Sequence, residues 1–308
     1  MGEFVSGAVT VLVPCSSANL GPAFDYAGLA LGLYDTVTAE VVPGGTLDVT
    51  VTGEGAGHVP LDRNHMIVRI IDETLAALGV SAPDGLRVVC HNEIPHGRGL
   101  GSSAAAIAAG ILLARALLVD GAARMSDADV FDLGTRLEGH PDNISASLFG
   151  GLTLAWRDGD RAHHTSLHVD DRIVTVAVVP DSELATKKAR AMLPAEVPHA
   201  DAAFNAGRAA LLTQALTRQP ELLLAATEDR LHQEQRRSAM PETLDLVDRL
   251  RAAGIAAVVS GAGPTVLAFT VGDQSEAVTH LVGSSYETLV LPVAYDGALT
   301  SVSHVPSA

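Results

Sequence analysis

The stretch IPHGRGLGSSAAAIAAG, residues 94–110, sets three glycines at alternating positions, Gly97, Gly99 and Gly101, directly ahead of two serines and a run of alanines. Glycine lets a backbone approach a ligand with no Cβ in the way and reach positive φ. Ser102 and Ser103 stand where N-cap and first-turn residues belong, and the alanines after them are strong helix formers. Such a segment brings free N–H groups and the positive end of a helix to one point, which suits a phosphate, with His96 and Arg98 as adjacent positive charge. A glycine turn leading into an ordinary capped helix accounts for the same residues, and physics alone leaves the two readings side by side. Two better-known phosphate loops are excluded. No lysine follows the glycines, as GxxxxGK[ST] demands. The spacing is GxGxG rather than GxGxxG, and the helix that follows leads to another helix, not to a strand ending in an acidic residue.

A second cluster of chemistry-bearing side chains lies in LEGHPDN, residues 137–143, with Glu138, His140, Asp142 and Asn143. Taken alone, Glu138 reads as an exposed glutamate, His140 as a turn residue and Asp142 as an N-cap. Beside a phosphate loop they read differently. Phosphoryl transfer asks for a clamped triphosphate, a Mg²⁺ held by a carboxylate and phosphate oxygens, and an acceptor oxygen placed in line. Opposite charges also occur in PCSSANLGPAFD (14–25), TKKARAMLP (186–194) and LHQEQRRSAMP (231–241).

Pro95 to Ala104 contains every position of Pro-x-Gly-x-Gly-Leu-Gly-Ser-Ser-Ala, and in this the chain resembles the GHMP kinases, the group of galactokinase, homoserine kinase, mevalonate kinase and phosphomevalonate kinase. The resemblance implies ATP as cofactor, held by Pro95, His96, Gly97, Arg98, Gly99, Leu100, Gly101, Ser102 and Ser103, with Asn64 near the base. It implies Mg²⁺ on Ser103 and Glu138, and an acceptor hydroxyl oriented by Asn143 with Asp142 beside it. The 14–25, 138–143, 186–194 and 231–241 segments are similar to those of the homoserine kinases. That likeness implies L-homoserine as the substrate, in threonine biosynthesis, with Asn19 and Asp25 at its ammonium group and Arg190 and Arg236 at its carboxylate. Thr186 and His140 would border that pocket, and Gly261, in SGAGPTVLAF, would shape it. A homodimer is also expected by resemblance. Two other readings share these motifs: a different GHMP kinase acting on mevalonate, which should lack the Asn19 and Asp25 pair, and a ligand sensor without catalysis, which intact Ser103 and Glu138 argue against. One position departs from the family pattern, Ala23 in place of glycine. If φ must be positive there, alanine costs on the order of 1 kcal/mol; otherwise it narrows the pocket.

The elements that must position these residues read as α+β. Strands are expected over Ala8–Pro14, Asp35–Val42, Thr46–Thr52, Leu86–Cys90 and Leu152–Trp156, with helices over Met66–Leu78, Ser103–Leu118 and Asp127–Leu137 and a short one from Asn143. The polar run 157–171, with His163 and His164, reads as an exposed connection. Beyond it come a strand at Ile173–Val179, helices near 183–192, 202–217, 220–234 and 241–253, and strands at Ala256–Ser260 and Val266–Thr270. Mixed strands and helices favour two α+β units over a doubly wound sheet. The units are drawn at 1–160 and 170–308, and the resemblance implies a ribosomal S5 domain 2-like fold for the first and a ferredoxin-like fold for the second.

The 308 residues carry 36 acidic against 20 basic side chains, a net charge of −16. Nucleic acid is thereby excluded as a partner, because backbone affinity comes from cations. The longest low-charge stretch, Gly99–Leu113, is broken by glycine and serine and too short to span a bilayer, so no membrane partner and a cytoplasmic location are expected. Cys15 and Cys90, each in an apolar run, fit buried thiols in a reducing compartment.

Overall fold

The computed structural model describes residues 3–283 and 286–303. Eleven strands are present among them: β1 (Ala8–Ala18), β2 (Ala27–Val41), β3 (Leu47–Gly53), β4 (Leu86–Asn92), β5 (Leu152–Asp158), β6 (Arg161–Leu167), β7 (Ile173–Pro180), β8 (Ala256–Val259), β9 (Val266–Val271), β10 (Tyr286–Val290) and β11 (Leu299–Ser303). The helices are α1 (Met66–Ala77), α2 (Ser102–Leu117), α3 (Gly121–Arg124), α4 (Asp127–Glu138), α5 (Asp142–Phe149), α6 (Thr186–Ala191), α7 (His199–Thr217), α8 (Leu223–Ala226), α9 (Pro241–Ala252) and α10 (Ser275–Val282).

One sheet has the order β11-β1-β2-β4-β3, with β5 and β6 added at the other end of β2. The fifteen residues of β2 serve both arms: Thr36–Val41 pair with β4, and Ala27–Leu29 pair with β5. The second sheet, β10-β7-β9-β8, is antiparallel throughout and carries the strand order of a ferredoxin-like unit. Alternation along β7 explains how it is buried on both faces. Val176 and Val178 pack with α9 and α10, while Ala177 and Val179 join the larger core that runs through the first sheet. That larger core closes around α2, which is buried on nearly every side and supplies Ala104, Ala105, Ile107, Ala108, Ala109 and Ile111. Small side chains let neighbours come close; a Cβ on Gly110 would stand 2.5 Å from Ile70 Cγ2.

Three sequence expectations change. The run 157–171 is no loose connection: β5 turns at Gly159 and Asp160 and returns as β6. His164, expected in solvent, lies face to face with the Phe149 ring at 3.6 Å and edge-on to Phe131 at 5.5 Å. Polar letters hid a strand whose apolar partners are distant in sequence. The helix expected over 220–234 breaks after Ala226, because Asp229 turns its carboxylate to the N–H groups of Leu231, His232 and Gln233 and holds them in a turn. Against the units drawn at 1–160 and 170–308, the first sheet takes in β6 and also β11, whose Leu299–Ser303 pair with Ala8–Leu12. Cys15 and Cys90 are both free and buried, as read from the sequence, and burial pushes each thiol up to about 12. Among the described residues no helix is long and apolar enough to cross a membrane.

The placement of α5 on the first sheet depends on Gly28 in β2, where a Cβ would stand 2.2 Å from the Asp142 carbonyl oxygen. Gly28→Ala should therefore cost about 2 kcal/mol or more of stability, since backbone and not a flexible side chain has to move. A urea denaturation midpoint indistinguishable from that of the parent would contradict this packing.

Candidate active site

The loop between β4 and α2 is fastened at its start by Asp35 of β2, whose Oδ1 accepts from the N–H groups of Glu93 (2.8 Å) and Ile94 (2.9 Å). Beyond Pro95, φ is +65° at Gly97, +79° at Gly99 and +72° at Gly101, a region that glycine alone enters freely. The carbonyls of this loop are all engaged by the protein. His96 O accepts from Arg98 Nη1, Gly97 O from Leu184 N (2.9 Å), Arg98 O from Thr265 N (3.2 Å), Gly99 O from Ser260 Oγ (2.6 Å), Leu100 O from Ser16 N (3.0 Å) and Gly101 O from Ala105 N (2.9 Å). Among the described residues no backbone N–H from Gly97 to Ala104 donates to a protein acceptor, and α2 has no side-chain cap. Eight amides and the positive end of a sixteen-residue helix are thus left without protein partners, and five of those amides, at Gly97, Gly99, Gly101, Ser102 and Ser103, belong to residues that line a cavity.

A cavity of about 110 Å³ opens in front of these donors. Gly97, Gly99, Gly101, Ser102 and Ser103 line one wall, together with Glu138, His140, Asp142 and Asn143. Across from them stand Asn19, Asp25, Thr186, Arg190, Arg236 and Gly261. A second and less polar cavity, of about 280 Å³, adjoins it through Ser102 and Ser103 and is bordered by Asn64, His96, Val37 and Ile67. Pro95, Arg98 and Leu100 border neither cavity. Leu100 is core, and the Arg98 guanidinium, expected beside phosphate, is held by the carbonyls of Pro180, Asp181 and His96. It staples the loop to the end of β7.

Ser103 Oγ donates to Glu138 Oε2 at 2.9 Å, and burial raises the glutamate's pKa despite the opposing pull of His140. A hydroxyl and a carboxylate form a hard-oxygen pair that suits a cation keeping several water or phosphate ligands. Among the described residues no three or more His, Cys, Asp or Glu are arranged so as to hold a metal ion, so a cation here would take its remaining ligands from outside the protein. The residues fit Mg²⁺ in that sense.

Asp142 is buried at the first turn of α5, where Oδ1 accepts from His140 Nδ1 (2.7 Å) and from Asn143 N (2.8 Å). Asn143 Oδ1 in turn accepts from Ser16 Oγ at 3.0 Å, which leaves the Nδ2 group as the part of the amide open to a ligand. Burial opposes charge on His140, but the hydrogen bond and negative charge of Asp142, with Glu138 beyond, outweigh it and raise the imidazole's pKa.

On the opposite wall, Arg190 Nη1 and Nη2 grip Asp25 Oδ2 and Oδ1 at 2.8 and 2.7 Å, a two-pronged pair. Backbone strain accompanies it, with φ of +69° at Asn19, +46° at Leu20 and +63° at Asp25. Asn19 braces this turn, donating Nδ2 to Gly261 O (2.8 Å) and accepting Asp25 N at Oδ1 (2.9 Å). Ala23 is buried outside the positive-φ set, so alanine there is unstrained. Arg236 is 2 % exposed, and burial, with the repulsion of Arg190, pushes it down to about 10. Phe24 lies beneath both guanidinium groups, 5.4 Å from Arg190 Cζ and 5.8 Å from Arg236 Cζ. Sequence reasoning passed over Phe24, Ser16, Ser260 and His232. All four stand in segments already singled out, but only the fold shows what they touch.

The chain matches the models of the GHMP kinases N terminal domain at residues 65–151 and of the GHMP kinases C terminal domain at 202–286. The fold and this site therefore define an ATP-dependent small-molecule kinase of the GHMP class. The homoserine kinase of Streptomyces coelicolor is 52 % identical over 96 % of this chain and 95 % of its own length, and that of Clavibacter michiganensis subsp. michiganensis is 53 % identical over 84 % and 81 %. A crystal structure of homoserine kinase from Cytophaga hutchinsonii superposes with a TM-score of 0.82 at 24 % identity, covering 98 % of this chain and 99 % of that one. The chain belongs to the homoserine kinase family.

The raised pKa of His140 has a checkable consequence. Its stabilising charge is fully present below the unfolded value of about 6.5 and disappears only as pH rises through the higher folded value. An NMR titration of the imidazole should inflect above about 6.5 in the parent and fall on Asp142→Asn. An inflection at or below that value in the parent would rule the pairing out.

Proposed function

We propose that the enzyme moves the γ-phosphoryl group of ATP to the side-chain hydroxyl of L-homoserine, giving O-phospho-L-homoserine and ADP. The observation that carries this reading is the pairing of opposite charges across from the free amides: the Asp25–Arg190 fork, with buried Arg236 beside it, is 165 residues apart in sequence yet set against one small cavity. A zwitterion would open that fork, offering its ammonium group to Asp25 and its carboxylate to Arg190 and Arg236, with Thr186 at the rim. Asn19 holds Asp25 in place for this, and Gly261 leaves room and receives the brace.

The amides of Gly97, Gly99, Gly101, Ser102 and Ser103 bind the polyphosphate, while the base enters the less polar cavity past Asn64 and His96. Ser103 and Glu138 hold Mg²⁺, which when bound neutralises phosphate charge. Asn143 Nδ2 orients the acceptor hydroxyl towards the γ-phosphorus. The hydroxyl oxygen forms the new P–O bond as the bridge to the β-phosphate breaks, and its proton passes to a γ-phosphate oxygen. Asp142, engaged by His140 and by its own helix, holds the imidazole in place beside the cavity.

Release of ADP across L-homoserine, L-serine, L-threonine and mevalonate checks the acceptor, with L-homoserine expected to dominate in kcat/KM; turnover of mevalonate without L-homoserine would overturn it. Glu138→Ala should lower kcat by about a hundredfold or more through loss of the metal's carboxylate. Undiminished rates at low Mg²⁺ would contradict that role. Arg236→Ala should raise the L-homoserine KM about thirtyfold or more while leaving the ATP KM nearly unchanged.

A further inference from the structure

His232 is fully buried in the turn between α8 and α9, four residues before Arg236, and it does not line the acceptor cavity. Its two ring nitrogens are both used. Nε2 lies 2.7 Å from the Gly21 carbonyl oxygen, and Nδ1 lies 2.9 Å from Arg236 Nη1. A carbonyl can only accept, so Nε2 carries the hydrogen; a guanidinium can only donate, so Nδ1 carries none. One form of the ring meets both demands, the neutral Nε2–H tautomer. Burial pushes the imidazole's pKa down, in the same direction. Asp229 Oδ2, 3.8 Å from Nε2, is beyond hydrogen-bond range and is already engaged by the N–H groups of His232 and Gln233.

The bond to His232 is the shortest that Arg236 makes. Its Nε reaches Ala189 O at 3.3 Å and Nη1 reaches Gly261 O at 3.4 Å, while Nη2 has no hydrogen-bond partner among the described residues. The imidazole also leans on the Phe24 ring, centroids 5.1 Å apart, and its Gly21 bond ties it to the segment that carries Asp25. One buried ring therefore joins the Arg236 guanidinium to the chain that bears the Asp25 carboxylate.

We propose that His232 is a positioning residue for acceptor binding: its unprotonated Nδ1 fixes the rotation of the Arg236 guanidinium so that Nη2 meets the carboxylate of the amino-acid substrate. This rests on the reading of Arg236 as a carboxylate partner. Asparagine sets an acceptor oxygen near the place of Nδ1, whereas glutamine sets a donor near Nε2 and leaves Arg236 without its acceptor. His232→Gln should raise the L-homoserine KM about tenfold, with kcat within about threefold and the ATP KM unchanged. His232→Asn should recover most of that loss, to within about threefold of the parent KM. Adding His232→Gln to Arg236→Ala should change the KM no further, because the two act through one guanidinium. An unchanged KM in His232→Gln, equal KM increases in the Asn and Gln variants, or additive effects in the double variant would each overturn the proposal. If Arg236→Ala itself leaves the L-homoserine KM unaltered, the underlying reading of Arg236 fails instead. On the parent enzyme, ¹⁵N NMR of the ring should show the neutral Nε2–H form across pH 6–8; an Nδ1–H or charged ring would overturn the proposal even if a variant fails to fold.

Discussion

Six consecutive carbonyls, from His96 to Gly101, are bound by donors drawn from β1, from the turn after β8, from the chain beyond β7 and from the loop and helix themselves. A peptide whose oxygen is fixed to one side must turn its N–H to the other. The row of free amides is therefore made by what lies behind it. Positive φ at three glycines permits the shape, but the surrounding segments select it from the many shapes glycine allows. Those segments come from both sheets, so the anion site exists only once the two are packed together.

The same arrangement carries the remaining chemistry. Ser16, whose N–H closes the loop at Leu100, also fixes the Asn143 amide through its hydroxyl. Ser260, which receives the loop at Gly99, is followed by Gly261, whose carbonyl receives both Asn19 and Arg236. Displacing one strand end would thus move the free amides of the loop, the Asn143 amide and the Asn19 and Arg236 side chains together. Such shared supports make the site rigid where chemistry needs in-line geometry.

Charge is handled by pairing within the cavity. Asp25 meets Arg190, Asp142 meets His140, and Glu138 has only a hydroxyl and a distant imidazole, so burial raises its pKa. The group left with least compensation is the one a cation would satisfy. Arg236, buried without a carboxylate of its own within hydrogen-bond range, is the corresponding cation awaiting an anion. An overall charge of −16 says nothing of this local balance.

Much of the fold was open to reading because local signals agreed with the final packing. The alanine run of α2, the apolar spacing of α1 and the β-branched letters of β1, β3, β7 and β9 each name their element through side-chain period and propensity. The glycine spacing at 97, 99 and 101 likewise announces a turn of positive φ, since no other residue enters that backbone region so freely, but not whether an anion or only a helix cap uses it. What needed tertiary structure was every feature made by distant partners. β6 shows mostly polar letters until His164 meets Phe149, and β11 becomes a strand because β1 leaves an edge for it. Arg98 carries its charge in the sequence, but only the fold shows the three carbonyls that its guanidinium ties together. His232 gives no local sign of its use, because a histidine's tautomer and partners are set by whichever donors and acceptors the fold puts against its two nitrogens.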